Sequence, residues 1–133
     1  VAALMARDEE RMKALRTSDF VLDWVYEDAF EHVPSSAEET HAFWASWFQG
    51  FPEMDYEVTR TIAAETVVVT EWTFTGTHDG LLGPPAFWTS VEPTGRTIQL
   101  RGVSVYDVQN GLIQRETTYL DLATLMVELG VTL

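Results

Sequence analysis

The sequence predicts an α+β domain in which helices pack on one face of a curved antiparallel sheet. Three observations carry this prediction. Apolar residues recur at helical spacing over the first third of the chain, and from Tyr56 onward the period changes to two. Between two β-compatible runs sits Asn110-Gly111, the strongest two-residue signal for a hairpin with a type I′ turn. A chain of 133 residues is one domain, residues 1–133, large enough to bury a core.

Val1 to Arg16 is expected as a helix, with Leu4, Met5, Met12 and Leu15 on one face and Glu9 paired with Lys13 outside. Val1 opens inside that pattern, which points to further residues upstream. Thr17-Ser18-Asp19 offers N-cap chemistry for a second short helix through Phe20, Leu22, Trp24 and Val25. Tyr26 to Glu31 fits either the tail of that helix or a first strand. Pro34-Ser35-Ser36 stops the chain, and Ser36-Ala37-Glu38-Glu39 is a capping box ahead of a third helix. Thr40, Phe43, Trp44, Trp47 and Phe48 share its face, and Gly50 and Pro52 end it.

Tyr56 to Ile62 alternates as one strand, Ala63-Ala64-Glu65 turns, and Thr66 to Thr77 makes a long second strand. Val68, Thr70, Trp72, Phe74 and Gly76 line one of its faces. Thr77 to Gly95, rich in Gly and Pro, is expected as a long loop or a short hairpin excursion. The closing hairpin follows from about Arg96. A short helix then carries Leu122, Leu125, Met126 and Leu129 on one side, with Gly130 where a C-cap favours left-handed angles.

Composition narrows the function. Apolar residues are 46% and charged ones 22%, an ordinary globular balance. The net charge of −13 repels phosphate backbones and anionic membranes, so neither nucleic acid nor membrane is an expected partner. With no cysteine, disulfides and thiolate metal sites are excluded, and a cytoplasmic location is the default expectation. The three histidines lie far apart in sequence without ligand spacing, so no metal site is expected. An aromatic content of 12% points to a large apolar surface facing something.

With Asn110-Gly111 at the turn, Val108 is expected to face Ile113, Tyr106 to face Arg115, and Ser104 to face Thr117. Gly102 then faces Tyr119, and Leu100 faces Asp121. This face mixes small positions with phenols and a carboxylate and reads as a cavity wall. The branched residues Val103, Val105, Leu112 and Leu120 fall on the other side. A bulge would shift the register by one residue and overturn this assignment.

Several motifs in order then resemble one family. They are Phe51-Pro52, Glu71-Trp72-Thr73-Phe74-Thr75-Gly76-Thr77-His78-Asp79-Gly80, Pro93-Thr94-Gly95-Arg96 and Asn110-Gly111-Leu112-Ile113. Tyr119-Leu120-Asp121 leading into Glu128-Leu129-Gly130 completes the set. From about residue 50 to its end the chain resembles the SnoaL-like polyketide cyclases of the nuclear-transport-factor-2-like superfamily. The resemblance implies a cone-shaped curved antiparallel sheet closed by helices over an apolar pocket. It also implies chemistry without a cofactor, a hydrophobic small-molecule substrate, and a homodimer or homotetramer. The aspartate matching Asp121 is, by the same resemblance, the general acid/base of an intramolecular aldol ring closure. Glu128 stands where the family usually has Gln, and Leu81 to Trp88 carries its own aromatic sequence at the expected pocket mouth.

Each candidate has a plainer role beside its chemical one. Asp121 immediately precedes a helix and is a preferred N-cap; beside Tyr119 and aromatic walls it would be desolvated and suited to proton transfer. His78 is either a loop histidine or a second proton carrier at the rim. Trp24, Trp72, Phe74, Ser104, Tyr106 and Tyr119 are expected to line the substrate pocket, although Trp72 and Phe74 suit a plain core as well. Arg115 is expected at the rim in a salt bridge. An epoxide-opening enzyme would need a second carboxylate near Asp121, from Glu27, Asp28 or Glu71. A binding protein without catalysis would use Asp121 only as a cap.

Overall fold

The capping box at Ser36 forms as its spacing requires. Ser36 Oγ accepts from the Glu39 N–H at 3.2 Å, and Glu39 Oε1 accepts from the Ser36 N–H at 3.0 Å. In the computed structural model, which describes residues 1–25 and 33–131, this box starts helix α3, Ala37–Gly50. Its buried face carries Thr40, Phe43, Trp44 and Trp47.

The helix expected over Val1 to Arg16 is two helices, α1 (Ala2–Met5) and α2 (Glu9–Ala14). Arg7, at φ 54°, breaks them apart, and the Asp8 side chain caps α2 by accepting from the Arg11 N–H at 3.1 Å. The second expected helix is corrected outright: Arg16–Val25 is strand β1. Its buried residues are Phe20, Leu22 and Trp24, a spacing of two, which a helix would scatter around its circumference. Tyr26 to Glu31 lies outside the described residues.

The remaining elements are β2 (Ser35–Ser36), β3 (Glu53–Ala63), β4 (Val67–Thr77), β5 (Thr97–Gln109), β6 (Leu112–Leu120) and α4 (Leu122–Leu129). The strands form one six-stranded sheet in the order β2-β1-β6-β5-β4-β3. All neighbours are antiparallel except β1, which runs parallel to β6. Thr70, Trp72, Phe74 and Gly76 of β4 turn inward, as their alternation predicts. There Trp47, Phe51, Phe74 and Tyr56 pack ring against ring, with centroids 4.8 to 5.2 Å apart. Fully burying an apolar chain such as Phe51 or Phe74 contributes about 1.5–3 kcal/mol.

The loop after β4 bridges Leu82 to Val91, a short hairpin excursion. Leu82, Ala86 and Phe87 are buried against the core, so this segment seals the end of α3. Asp121 caps α4, which Gly130 ends at φ 73°. The Glu128 carboxylate accepts from the Gln99 N–H at 2.7 Å and ties α4 to β5. No helix among the described residues is long and apolar enough to cross a membrane.

Candidate functional site

The closing hairpin turns at Asn110 and Gly111, both at positive φ as a type I′ turn demands. Just past the turn the register slips. Val108 still pairs with Ile113, but Asp107 pairs with Arg115, leaving Gln114 as the extra residue of a β-bulge. Beyond it Tyr106 faces Glu116, Ser104 faces Thr118, Val103 faces Tyr119 and Gly102 faces Leu120. The unbulged register is therefore corrected, and the inward residues of β6 change from odd to even numbers.

The correction moves the expected site residues apart. Tyr119 is 51% exposed on the outer face of the sheet. Asp121 is exposed at the start of α4, where Oδ1 accepts from the Thr124 N–H at 3.1 Å and Oδ2 from its hydroxyl at 2.6 Å. Those two bonds hold its carboxyl below the usual aspartate range. Arg115 also faces outward and pairs with Asp23 at 2.7 Å. His78 is fully buried but away from the cavity, beside Phe51, and its Nδ1 accepts from the Thr94 N–H at 3.2 Å. Burial lowers its pKa and keeps it neutral, so it acts as a tie between two loop strands. Phe74 belongs to the aromatic core.

Trp24, Trp72, Ser104 and Tyr106 do meet, in a cavity between the concave sheet face and the N-terminal helices. Glu116 and Thr118 join them there, through the bulge. The polar wall is ordered. Trp72 Nε1 donates to Ser104 Oγ at 2.9 Å, Ser104 Oγ lies 2.8 Å from Thr118 Oγ1, and Thr118 Oγ1 donates to Glu116 Oε2 at 2.8 Å. An indole can only donate and the last hydroxyl donates onward, so the Ser104 proton points to Thr118. The chain thus delivers one O–H to one carboxylate oxygen.

Trp72 also explains Gly102. A Cβ there would stand 2.4 Å from the indole, so only glycine lets the ring lie flat on β5.

Among the described residues Glu116 is the one acidic residue lining this cavity, and none of them forms an ion pair with it. Desolvation raises its pKa; the Thr118 hydroxyl and the positive charge of Arg16 oppose the rise. Burial also pushes the Tyr106 and Tyr56 phenols upward, so both stay protonated as donors. Sequence reasoning missed Glu116. Its signal was Leu120: anchoring the strand on that apolar residue, rather than on the turn, sends Glu116 and Thr118 inward.

This cavity is small, about 70 Å³ or room for a few waters, and it is partly open. Met12, Arg16 and Trp44 line both this cavity and a larger groove of about 700 Å³ between α2, β1 and α3. Among the described residues no cluster of side chains has the arrangement of a metal site.

The architecture has known counterparts. AclR from Streptomyces galilaeus, provisionally a hydroxylase, superposes with a TM-score of 0.80 at 22% identity, covering 99% of this chain and 80% of its own. A provisional SnoaL-like polyketide cyclase from Jannaschia gives 0.77 at 22% identity over 93% and 79%. IdmH from Streptomyces antibioticus, provisionally a polyketide cyclase, gives 0.76 at 27% identity over 98% and 92%. The first two likenesses show the fold alone. No curated protein matches the sequence significantly. The family model for SnoaL-like polyketide cyclases matches residues 2–129, and the chain belongs to that family.

Proposed function

We propose that this protein is an acid/base enzyme that closes a ring on an apolar, carbonyl-bearing, polyketide-like substrate, with Glu116 as the acid/base. The observation that carries this reading is a buried carboxylate, the only one in this aromatic cavity among the described residues, fed by one hydroxyl donor. Its acidity is shifted toward neutrality, which suits a group that must take a proton and return it. In the first step Glu116 removes a proton from carbon α to a carbonyl, and Tyr106 donates a hydrogen bond to the oxygen that gathers charge. The enolate carbon then attacks a second carbonyl of the same molecule, forming the C–C bond. The resulting alkoxide takes the proton back from Glu116. Every step is a proton transfer or a carbon–carbon bond formation, so no cofactor enters.

Epoxide opening is less well supported, because it calls for a pair of carboxylates. Glu71 lies on the outer face with Arg60 at 3.3 Å, and Glu27 and Asp28 lie outside the described residues. Asp121 is the competing base, and the two assignments separate in one assay.

Exchange of the α-protons of 2-tetralone, a flat bicyclic ketone, is followed in D2O by proton NMR. Glu116→Gln is expected to slow exchange by a factor on the order of 10²–10⁴, the usual worth of a general base, while Asp121→Asn stays near wild type. Loss of exchange in Asp121→Asn with retention in Glu116→Gln would sink the assignment.

A further inference from the structure

Arg16 sits at the junction of the cavity and the groove and lines both. Its guanidinium carbon stands 4.6 Å from the centre of the Phe20 ring, a cation–π contact. Among the described residues its side chain makes no hydrogen bond and no ion pair, although a guanidinium carries five N–H donors. Glu116 shares the cavity yet stands beyond ion-pair distance.

A second orphan donor stands at the same place. Trp44 lines both spaces, is 4% exposed, and its indole N–H is buried with no acceptor among the described residues. Burying the Trp44 N–H without an acceptor costs free energy that a ligand oxygen would recover, and the half-buried Arg16 fork beside it is free to bond the same ligand. A planar carboxylate matches the guanidinium fork with two parallel bonds, which a lone ketone oxygen does not.

We propose that the ring substrate carries a carboxylate, held at this junction by Arg16 together with the Trp44 N–H. The proposal rests on this cavity being the reacting site, but not on Glu116 being the base. The rings lie in the groove, where there is room, and the reacting end enters the smaller cavity toward Glu116. Arg16 also selects: against a net charge of −13 and the Glu9, Glu10 and Glu38 carboxylates of the groove, it and Lys13 are the cations there that receive an anion. The free acid is the substrate form, and its neutral amide or ester is discriminated against.

The test is calorimetric titration with 2-naphthoate and its neutral isostere 2-naphthamide at pH 7, where the acid is ionised. Wild type is expected to bind the acid about 10- to 100-fold more tightly, the worth of hydrogen bonds to a charged group. Arg16→Gln should bring the two ligands close together, and Arg16→Lys should keep part of the preference. In Glu116→Gln the preference should persist or grow, because a negative neighbour is gone, while α-proton exchange is lost. Equal binding of acid and amide to wild type, or no binding of either, overturns the proposal. So does a preference that survives in Arg16→Gln. If that variant does not fold by circular dichroism, Arg16→Lys decides, and an undiminished preference there overturns it.

Discussion

Replacing Thr118 with Val removes one hydroxyl from the cavity and leaves the side-chain shape nearly unchanged. Thr118 is 1% exposed, and its hydroxyl gives its proton to Glu116 Oε2 at 2.8 Å. A hydrogen bond to a charged group contributes about 1.5–3 kcal/mol, and this one stabilises the ionised carboxylate more than the neutral acid. Its loss adds to the desolvation that already holds the Glu116 pKa up, so the variant's carboxyl titrates at higher pH than wild type. Arg16 still opposes the rise. Ser104 also loses Thr118 as the acceptor of its proton, at the far end of the bond from the Trp72 indole. Carbon NMR of protein labelled at the glutamate carboxyl carbon reads the titration directly, and the Glu116 signal is the one absent from Glu116→Gln. The exchange rate with 2-tetralone should drop at pH 7 and recover as pH rises. A Glu116 titration at the same or lower pH in Thr118→Val would refute the relay.

Three further outcomes follow from the same geometry. Glu116 has a raised pKa in the fold, so the stability it contributes is complete below about pH 4.5 and is lost as pH rises through the folded value. Glu116→Gln is therefore expected to melt above wild type at pH 8, with the gap closing at pH 4.5, and melts that keep one constant gap would contradict this. His78 has a lowered pKa, so its contribution is complete above its ordinary value of 6.5 and is lost as pH falls below it. Melting curves of His78→Gln should vary less than wild type between pH 7 and pH 5. Gly102→Ala forces a methyl to within 2.4 Å of Trp72, and overpacking of this kind costs about 1–3 kcal/mol. With the Trp72–Ser104 bond displaced as well, the melting temperature should fall by at least about 3 °C and tetralone exchange should weaken; an unchanged melt would show that the indole has room to move.

Elements whose signals are local were legible in the sequence. Ser36 and Glu39 cap α3 reciprocally, Asn110-Gly111 makes the turn, Asp121 and Gly130 bound α4, and β4 alternates over its full length. What failed depended on partners distant in sequence. Thr17-Ser18-Asp19 has real capping chemistry, and Thr17 does bond Asp19 at 2.7 Å, but the strand is decided by pairing with β6 almost a hundred residues away. The bulge at Gln114 left no trace because Gln114 and Arg115 are both polar. Either can face solvent, so the alternation from Ile113 onward reads equally well in two registers. Only Leu120, an apolar residue needing burial, breaks the tie.

That one extra residue decides which carboxylate meets the cavity. Asp121 and Glu116 are five positions apart, so whichever register holds, a straight strand presents at most one of them inward. Asp121 ends in water with two donors from Thr124, an environment that stabilises the anion and leaves it a poor base. Glu116 ends among Trp24, Trp72 and Tyr106 with a single donor on one oxygen, which leaves its anion undersolvated and basic. The two carboxyls are chemically close, and their surroundings push their acidities in opposite directions. The same bulge that moves Asp121 out of the cavity keeps it at the start of α4, where a depressed pKa helps a cap hold its charge beside the helix N-terminus. On the proposed assignment cap and base are separate residues, each with the acidity its role requires.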